Sequence, residues 1–119
     1  MNVKRAFLSA VAGWLLAAMP VLAHHSFKAE YDSDQPVTLK GTVTKVIFTN
    51  PHVRIYLDVK DEKGKVTNWQ LELGSPNLLL SQGWTLSSLK AGDEVTVDGF
   101  RARNGANAAN ARKVTLASR

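Results

Sequence analysis

The sequence predicts a small all-β domain with one short helix, a five-stranded OB-like Greek-key barrel that follows a removable signal peptide. Three observations carry this prediction: an apolar leader, five segments in which apolar and polar residues alternate, and one helix signal between the third and fourth segments. Three strands, a helix and two further strands is the order of an OB-fold. A plain β-sandwich is the alternative, and the small size and the position of the helix favour the barrel.

Residues 1–23 have the organisation of a secretory signal peptide. Lys4 and Arg5 precede an uncharged apolar run that extends to Ala23, where small residues suit cleavage. A transmembrane anchor is the alternative, but the run is short for a bilayer and is interrupted by a glycine and a proline. We therefore expect cleavage after Ala23 and a periplasmic or secreted protein.

Processing leaves an N-terminal arm, residues 24–36, and a barrel domain, residues 37–119. The chain contains no cysteine, which excludes disulfides and thiolate metal sites and fits an exported protein of the bacterial periplasm. Its formal net charge of +5 is modest and includes the two basic residues of the leader. We therefore expect no nucleic-acid partner and no membrane span after processing; the partner is an unknown envelope protein or a metal ion.

The five alternating segments are half-buried strands, because every second residue is apolar. They are Val37–Ile47, Val53–Val59, Val66–Leu73 and two shorter segments around Val95 and Val114. A hairpin turn at Asp61-Glu62-Lys63-Gly64 joins the second strand to the third. Pairing Asp61 with Lys65 sets Arg54 opposite Glu72 as an opposite-charge pair, and every apolar residue then meets another apolar residue.

The helix signal lies between the third and fourth strands. Ser75 suits the N-cap, Pro76 the first helical position and Gly83 the left-handed residue that ends a helix. Trp84, directly after Gly83, is expected to pack back onto Leu79 or its neighbour. The same reasoning predicts that Trp69 and Trp84 are core residues, that Phe48 faces outward, and that Asn104–Ala111 is a flexible surface loop.

Three histidines, His24, His25 and His52, are the candidate metal ligands of the processed chain. With His24 as the first residue, its free α-amine and its ring nitrogen can close a chelate ring on a metal ion. His25 offers a competing mode through the amine, the intervening amide and its own ring. Copper(II) competes best among divalent first-row ions for such nitrogen ligands, so we expect copper(II) and no other cofactor.

His52 follows Asn50-Pro51 directly before the second predicted strand, and Pro51 gives it a rigid backbone approach. The alternation places His52 on the outer face with Arg54 and Tyr56. If the arm folds across that face, His52 completes the metal site. The alternative is a solvated pair of terminal histidines and a His52 that bonds to a neighbouring loop.

A second class of function remains open beside the metal. The outer face of the second and third strands, with Arg54, Tyr56 and Gln70, is the candidate ligand face of a cell-envelope interaction module that holds no metal. A third reading is oligosaccharide or anion binding, aided by the basic C-terminal strand. Because the sequence has no Gly-rich phosphate loop and no nucleophile–base arrangement, we expect a non-enzymatic domain with no catalytic residues.

Several segments together resemble DUF6152, a family of small exported bacterial proteins of unknown function. They are His24-His25-Ser26-Phe27, Val37–Val43 with Gly41, Asn50-Pro51-His52, Trp69 with Glu72, Ser75–Leu80, Gly83-Trp84 and Gly92-Asp93-Glu94-Val95. The resemblance covers nearly the whole processed chain and implies an exported OB-like domain, with no established activity to carry over. The residues that carry this resemblance include all three candidate histidines.

Overall fold

The computed structural model describes residues 14–16 and 27–117. Within them six strands form one sheet in the order β1-β6-β4-β3-β2-β5, and an additional pairing of β5 with β6 closes it into a barrel. The predicted five-stranded OB-like barrel corresponds to β2–β6 and is confirmed. The elements are β1 (Trp14–Leu16), β2 (Tyr31–Ile47), β3 (Arg54–Lys60), β4 (Val66–Glu72), α1 (Pro76–Ser81), β5 (Glu94–Ala102) and β6 (Ala108–Leu116).

Strand β1 falls within the segment that the sequence predicts as a signal peptide, and it pairs antiparallel with residues 113–115 of β6. Cleavage after Ala23 stays a prediction, because the cleavage point lies outside the described residues. In the two described ranges, no helix combines the length and apolar character needed to cross a bilayer.

The β3–β4 hairpin has the register that the sequence predicts. Arg54 pairs with Glu72 and Tyr56 with Gln70, and the Asp61 amide donates to the Lys65 carbonyl at 2.9 Å. Inward-facing residues of both strands are buried in the main core, Trp69 among them. Alternation and turn chemistry therefore determined this register, since a shift by one residue would turn every apolar side chain outward.

Helix α1 begins and ends as predicted. The Ser75 hydroxyl accepts a hydrogen bond from the Leu78 amide at 3.2 Å, and Pro76 occupies the first turn. Gly83 has a φ of 99°, and the Trp84 amide donates to the Leu79 carbonyl. Leu79 and Trp84 are both buried in the main core, so the short helix closes one end of the barrel.

The structure corrects the expectation for Phe48. A bulge between Val43 and Lys45 inserts one extra residue into β2, so that Val46 opposes the buried Ile55. The parity of the strand is reversed beyond this point, and Phe48 packs against the main core instead of facing solvent.

The prediction of a surface loop over Asn104–Ala111 is also wrong in its second half. Strand β6 begins at Ala108, and residues 109–111 are all buried. Small side chains are needed here because β5 and β6 approach closely: a Cβ at Gly99 would overlap the Asn110 carbonyl.

Strand β2 begins at Tyr31, six residues before the predicted first strand. The arm therefore joins the sheet well before Val37.

Candidate functional site

His52 lies directly before β3, and its imidazole contacts a carboxylate of the neighbouring strand. Its Nδ1 is 3.1 Å from the Glu72 Oε1, with the two side chains 35% and 16% exposed. The other carboxylate oxygen, Glu72 Oε2, accepts a hydrogen bond from the Tyr31 hydroxyl at 2.9 Å. A connected chain of polar groups thus runs from the arm through Glu72 to an accessible histidine ring.

The Tyr31 phenol stays protonated in this arrangement. Burial raises the pKa of its hydroxyl, and the neighbouring Glu72 carboxylate raises the pKa further. Both effects disfavour a phenolate, which would be buried beside another negative charge. Tyr31 is therefore a hydrogen-bond donor that holds Glu72 in place.

The expected ion pair between Arg54 and Glu72 does not form. The two residues are register partners, but Glu72 turns its carboxylate to His52 and Tyr31. Arg54 Nε is buried and lacks a hydrogen-bond partner. The residues were predicted to be opposite one another, but the sequence did not show that the arm would supply a competing donor.

The arm is fixed on the barrel by its own apolar cluster. Residues 27–30 form a helical turn, and the Phe27 ring lies 5.8 Å from the Tyr31 ring and 5.7 Å from the Phe100 ring. The Arg103 guanidinium donates to the carbonyls of Lys28 and Tyr31, both at 3.1 Å. These contacts hold the helical turn and Tyr31 against the end of β5.

Four outward-facing residues are register partners across neighbouring strands and are called the outer row. In the order β3, β4, β6 and β5 they are Arg54, Glu72, Asn110 and Phe100. The residues next to them in β3, β4 and β6 point into the core: Ile55, Leu71 and Ala109. Phe27 contacts Phe100 and Tyr31 reaches Glu72, and these two residues are the register partners of Asn110 on either side. Asn110 is only 4% exposed, and its Oδ1 has no hydrogen-bond partner.

Sequence reasoning missed Tyr31, Asn110 and the role of Glu72 beside His52. One signal was available for Tyr31: Phe27 and Tyr31 are four residues apart, the spacing at which side chains meet on a helical turn. For Asn110 no local signal exists, because an Asn among alanines is typical of loops. Its burial depends on strands and an arm that are distant in sequence.

The residues of the alternative ligand face share one side of the β3–β4 hairpin. Arg54, Tyr56 and Gln70 all lie on the outer side of the hairpin, with Tyr56 and Gln70 as register partners. The Lys45 ammonium lies 5.8 Å from the centre of the Tyr56 ring, a cation–π arrangement. This face adjoins the outer row along the same two strands.

His52 and Glu72 are a pair, not a complete metal site. Across the described ranges, no three His, Cys, Asp or Glu side chains come close enough together to hold a metal ion. His24 and His25 lie outside the described residues.

Comparison with known proteins identifies the family and the fold. The chain matches DUF6152, a family of unknown function, over residues 13–111, and it belongs to this family. It is similar in structure to the mitochondrial single-stranded DNA-binding protein Rim1 from S. cerevisiae, with 9% identity and a TM-score of 0.53. The similarity covers 71% of this chain and 94% of that one, and it shows a shared OB-like fold. No curated protein matches the sequence.

Proposed function

We propose that this chain, a member of the DUF6152 family, is a non-enzymatic exported domain that binds a transition metal. The ion is copper(II), held by His52 together with His24 or His25 at the processed N-terminus. One observation carries the proposal: the His52 ring is accessible and is oriented by the half-buried Glu72 carboxylate, which is itself held by Tyr31.

The contact with Glu72 determines which nitrogen of His52 is offered to a metal. The carboxylate lies against Nδ1 and favours the tautomer with its proton on that atom. The lone pair is then on Nε2, the nitrogen left for coordination. A histidine that turns one nitrogen to a carboxylate and the other to the ion is a recurring arrangement in metal sites.

The proposed site requires a terminal histidine to extend from the anchored Phe27 to His52. Phe27 is fixed on Tyr31 and Phe100, and Tyr31 in turn contacts Glu72. His24 is three residues ahead of Phe27, and three residues of extended chain span about 10 Å. The α-amine and the ring of His24 supply two nitrogens, and His52 supplies a third.

Copper(II) titration of the chain that begins at His24 tests the proposal. Calorimetry gives the Kd, and electron paramagnetic resonance shows the number of coordinated nitrogens. Glu72→Gln removes the charge that orients His52, and we expect it to weaken binding about tenfold to a hundredfold. We expect His52→Ala and His24→Ala to weaken binding at least as much, since each removes a ligand.

Asp58→Asn is the matched control, because Asp58 is a carboxylate on the same face whose hydrogen-bond partner is Asn68, away from His52. It should leave copper binding unchanged. Equal affinity of His52→Ala and the unaltered chain would overturn the proposal, because copper would then be bound by the free terminus alone.

The hairpin face favours a second candidate function. Tyr56 lies beneath Lys45 and beside the exposed Gln70. Together these residues offer an aromatic and amide surface to an envelope protein. Aromatic residues with polar tips are common at the centres of protein interfaces. This reading needs no metal, and it becomes the leading one if His52→Ala does not alter copper affinity.

A further inference from the structure

Two buried polar atoms of the outer row have no partner. They are Arg54 Nε, a donor, and Asn110 Oδ1, an acceptor. Within the described residues only one other buried side-chain atom lacks a partner, the Trp84 indole nitrogen at the end of α1. A buried polar group without a partner carries its full desolvation cost, so a segment that binds both groups of the row would be stabilised there.

The required ligand must have both a donor and an acceptor. Arg54 and Asn110 flank Glu72 on opposite sides, and neighbouring strands are about 4.8 Å apart, so their backbones are separated by about 10 Å. Glu72 is already engaged by Tyr31 and His52. A short peptide backbone with a free amine fits this pattern: its N–H groups can donate to Asn110, and its carbonyls can accept from Arg54.

We propose that the outer row is the docking site of the first residues of the processed chain, His24–Ser26. Arg54 binds a backbone carbonyl of this segment, and Asn110 accepts from its amine or from an amide. The segment joins Phe27, which is anchored against Phe100 at one end of the row. Its length of about 10 Å matches the separation of the two orphaned groups.

This inference rests on the processing after Ala23 in the proposed function, but it does not require a metal. It assigns Arg54 and Asn110 as positioning residues, which hold the terminus whether or not copper is bound. In the copper site they would act by fixing the amine near His52. Docking and metal binding can therefore fail separately.

The reactivity of the α-amine in metal-free protein tests the docking. A chain that begins at His24 is treated at neutral pH with an amine-acylating reagent, and mass spectrometry follows modification of the terminus. A synthetic peptide of residues 24–31 gives the undocked rate. We expect the folded chain to react more slowly, by roughly threefold to tenfold, the factor expected for one or two hydrogen bonds.

Asn110→Ala and Arg54→Met remove the two partners, and each should bring the rate close to that of the peptide. Asn68→Ala, on the same face but away from the row, and Lys45→Met are the matched controls and should retain the slow rate. Circular dichroism verifies that each variant is folded. A folded chain that reacts as fast as the peptide overturns the proposal, as does equal protection in Asn110→Ala and Asn68→Ala.

Discussion

Tyr31 joins the arm to the barrel through a single charge-assisted hydrogen bond. Its hydroxyl donates to Glu72 from a site in which the tyrosine is only 7% exposed. Charge-assisted hydrogen bonds are shorter and stronger than neutral ones, and Glu72 has no second donor of this kind from the arm in the described residues. The orientation of His52 therefore depends on a tyrosine that the sequence places in the arm.

We expect Tyr31→Phe to lower the free energy of unfolding by about 1–2 kcal/mol at neutral pH, because Glu72 loses a buried donor. The pKa of Tyr31 is raised in the folded state, so its contribution is fully present below the ordinary pKa of 10.0 and falls as pH rises toward the folded value. Denaturant unfolding of both proteins between about pH 8 and pH 11 measures this change. A stability difference that stays constant through pH 11 would contradict the prediction.

At the scale of elements, β5 and β6 come close together next to a bulge in β6, where Arg112 has no register partner in β5. The register shifts between Asp98 and Gly99, and Gly99 then opposes Ala111. A side chain at Gly99 would meet the Asn110 backbone, so glycine permits the close approach that buries the outer row. The buried alanines of β6 serve the same purpose as Gly99, because larger side chains would not fit in this part of the core.

Gly99→Ala should destabilise the domain by about 1–3 kcal/mol, because the strands must separate to admit the methyl group. Thermal or denaturant unfolding measures the loss. Thr96→Ala, in the same strand but with no such contact, is the control and should change stability by less than about 0.5 kcal/mol. Equal effects of the two substitutions would show that β6 can shift away from Gly99 at little cost.

At the scale of the whole molecule, Arg103 ties the arm to the barrel. Its side chain donates to the carbonyls of Lys28 and Tyr31, and its amide donates to the Glu30 carbonyl at 2.8 Å. Arg103 follows β5 directly. The end of β5 therefore fixes the position of the chain just ahead of β2. The position of the candidate site depends on this long-range attachment.

Arg103→Met should loosen the arm while leaving the barrel folded. Trypsin cleavage after Lys28 reports this, since the Lys28 carbonyl accepts from Arg103. We expect cleavage to accelerate roughly fivefold to thirtyfold, the factor expected for one to two lost hydrogen bonds of about 1 kcal/mol each. Lys40→Met, in the middle of β2, is the control and should not alter the rate at Lys28. An unchanged rate in Arg103→Met would show that the Phe27 cluster holds the arm alone.

Local patterns determined most of the barrel. Alternation and one turn gave the β3–β4 register, and a cap, a proline and a glycine gave α1, because each depends on residues close together in the chain. The Phe48 parity was wrong because a bulge leaves no mark in alternation. The start of β6 was missed because a run of alanine and asparagine has the composition of a loop.

The sequence by itself determined that the domain is an OB-like barrel and that His52 lies on its outer side before the second barrel strand. Only the tertiary structure showed that Glu72 faces His52 instead of Arg54, and that Asn110 is buried. The physical reason is distance along the chain. Tyr31 and Glu72 are 41 residues apart, and no periodicity reports which donor a carboxylate will meet once the strands and the arm are packed.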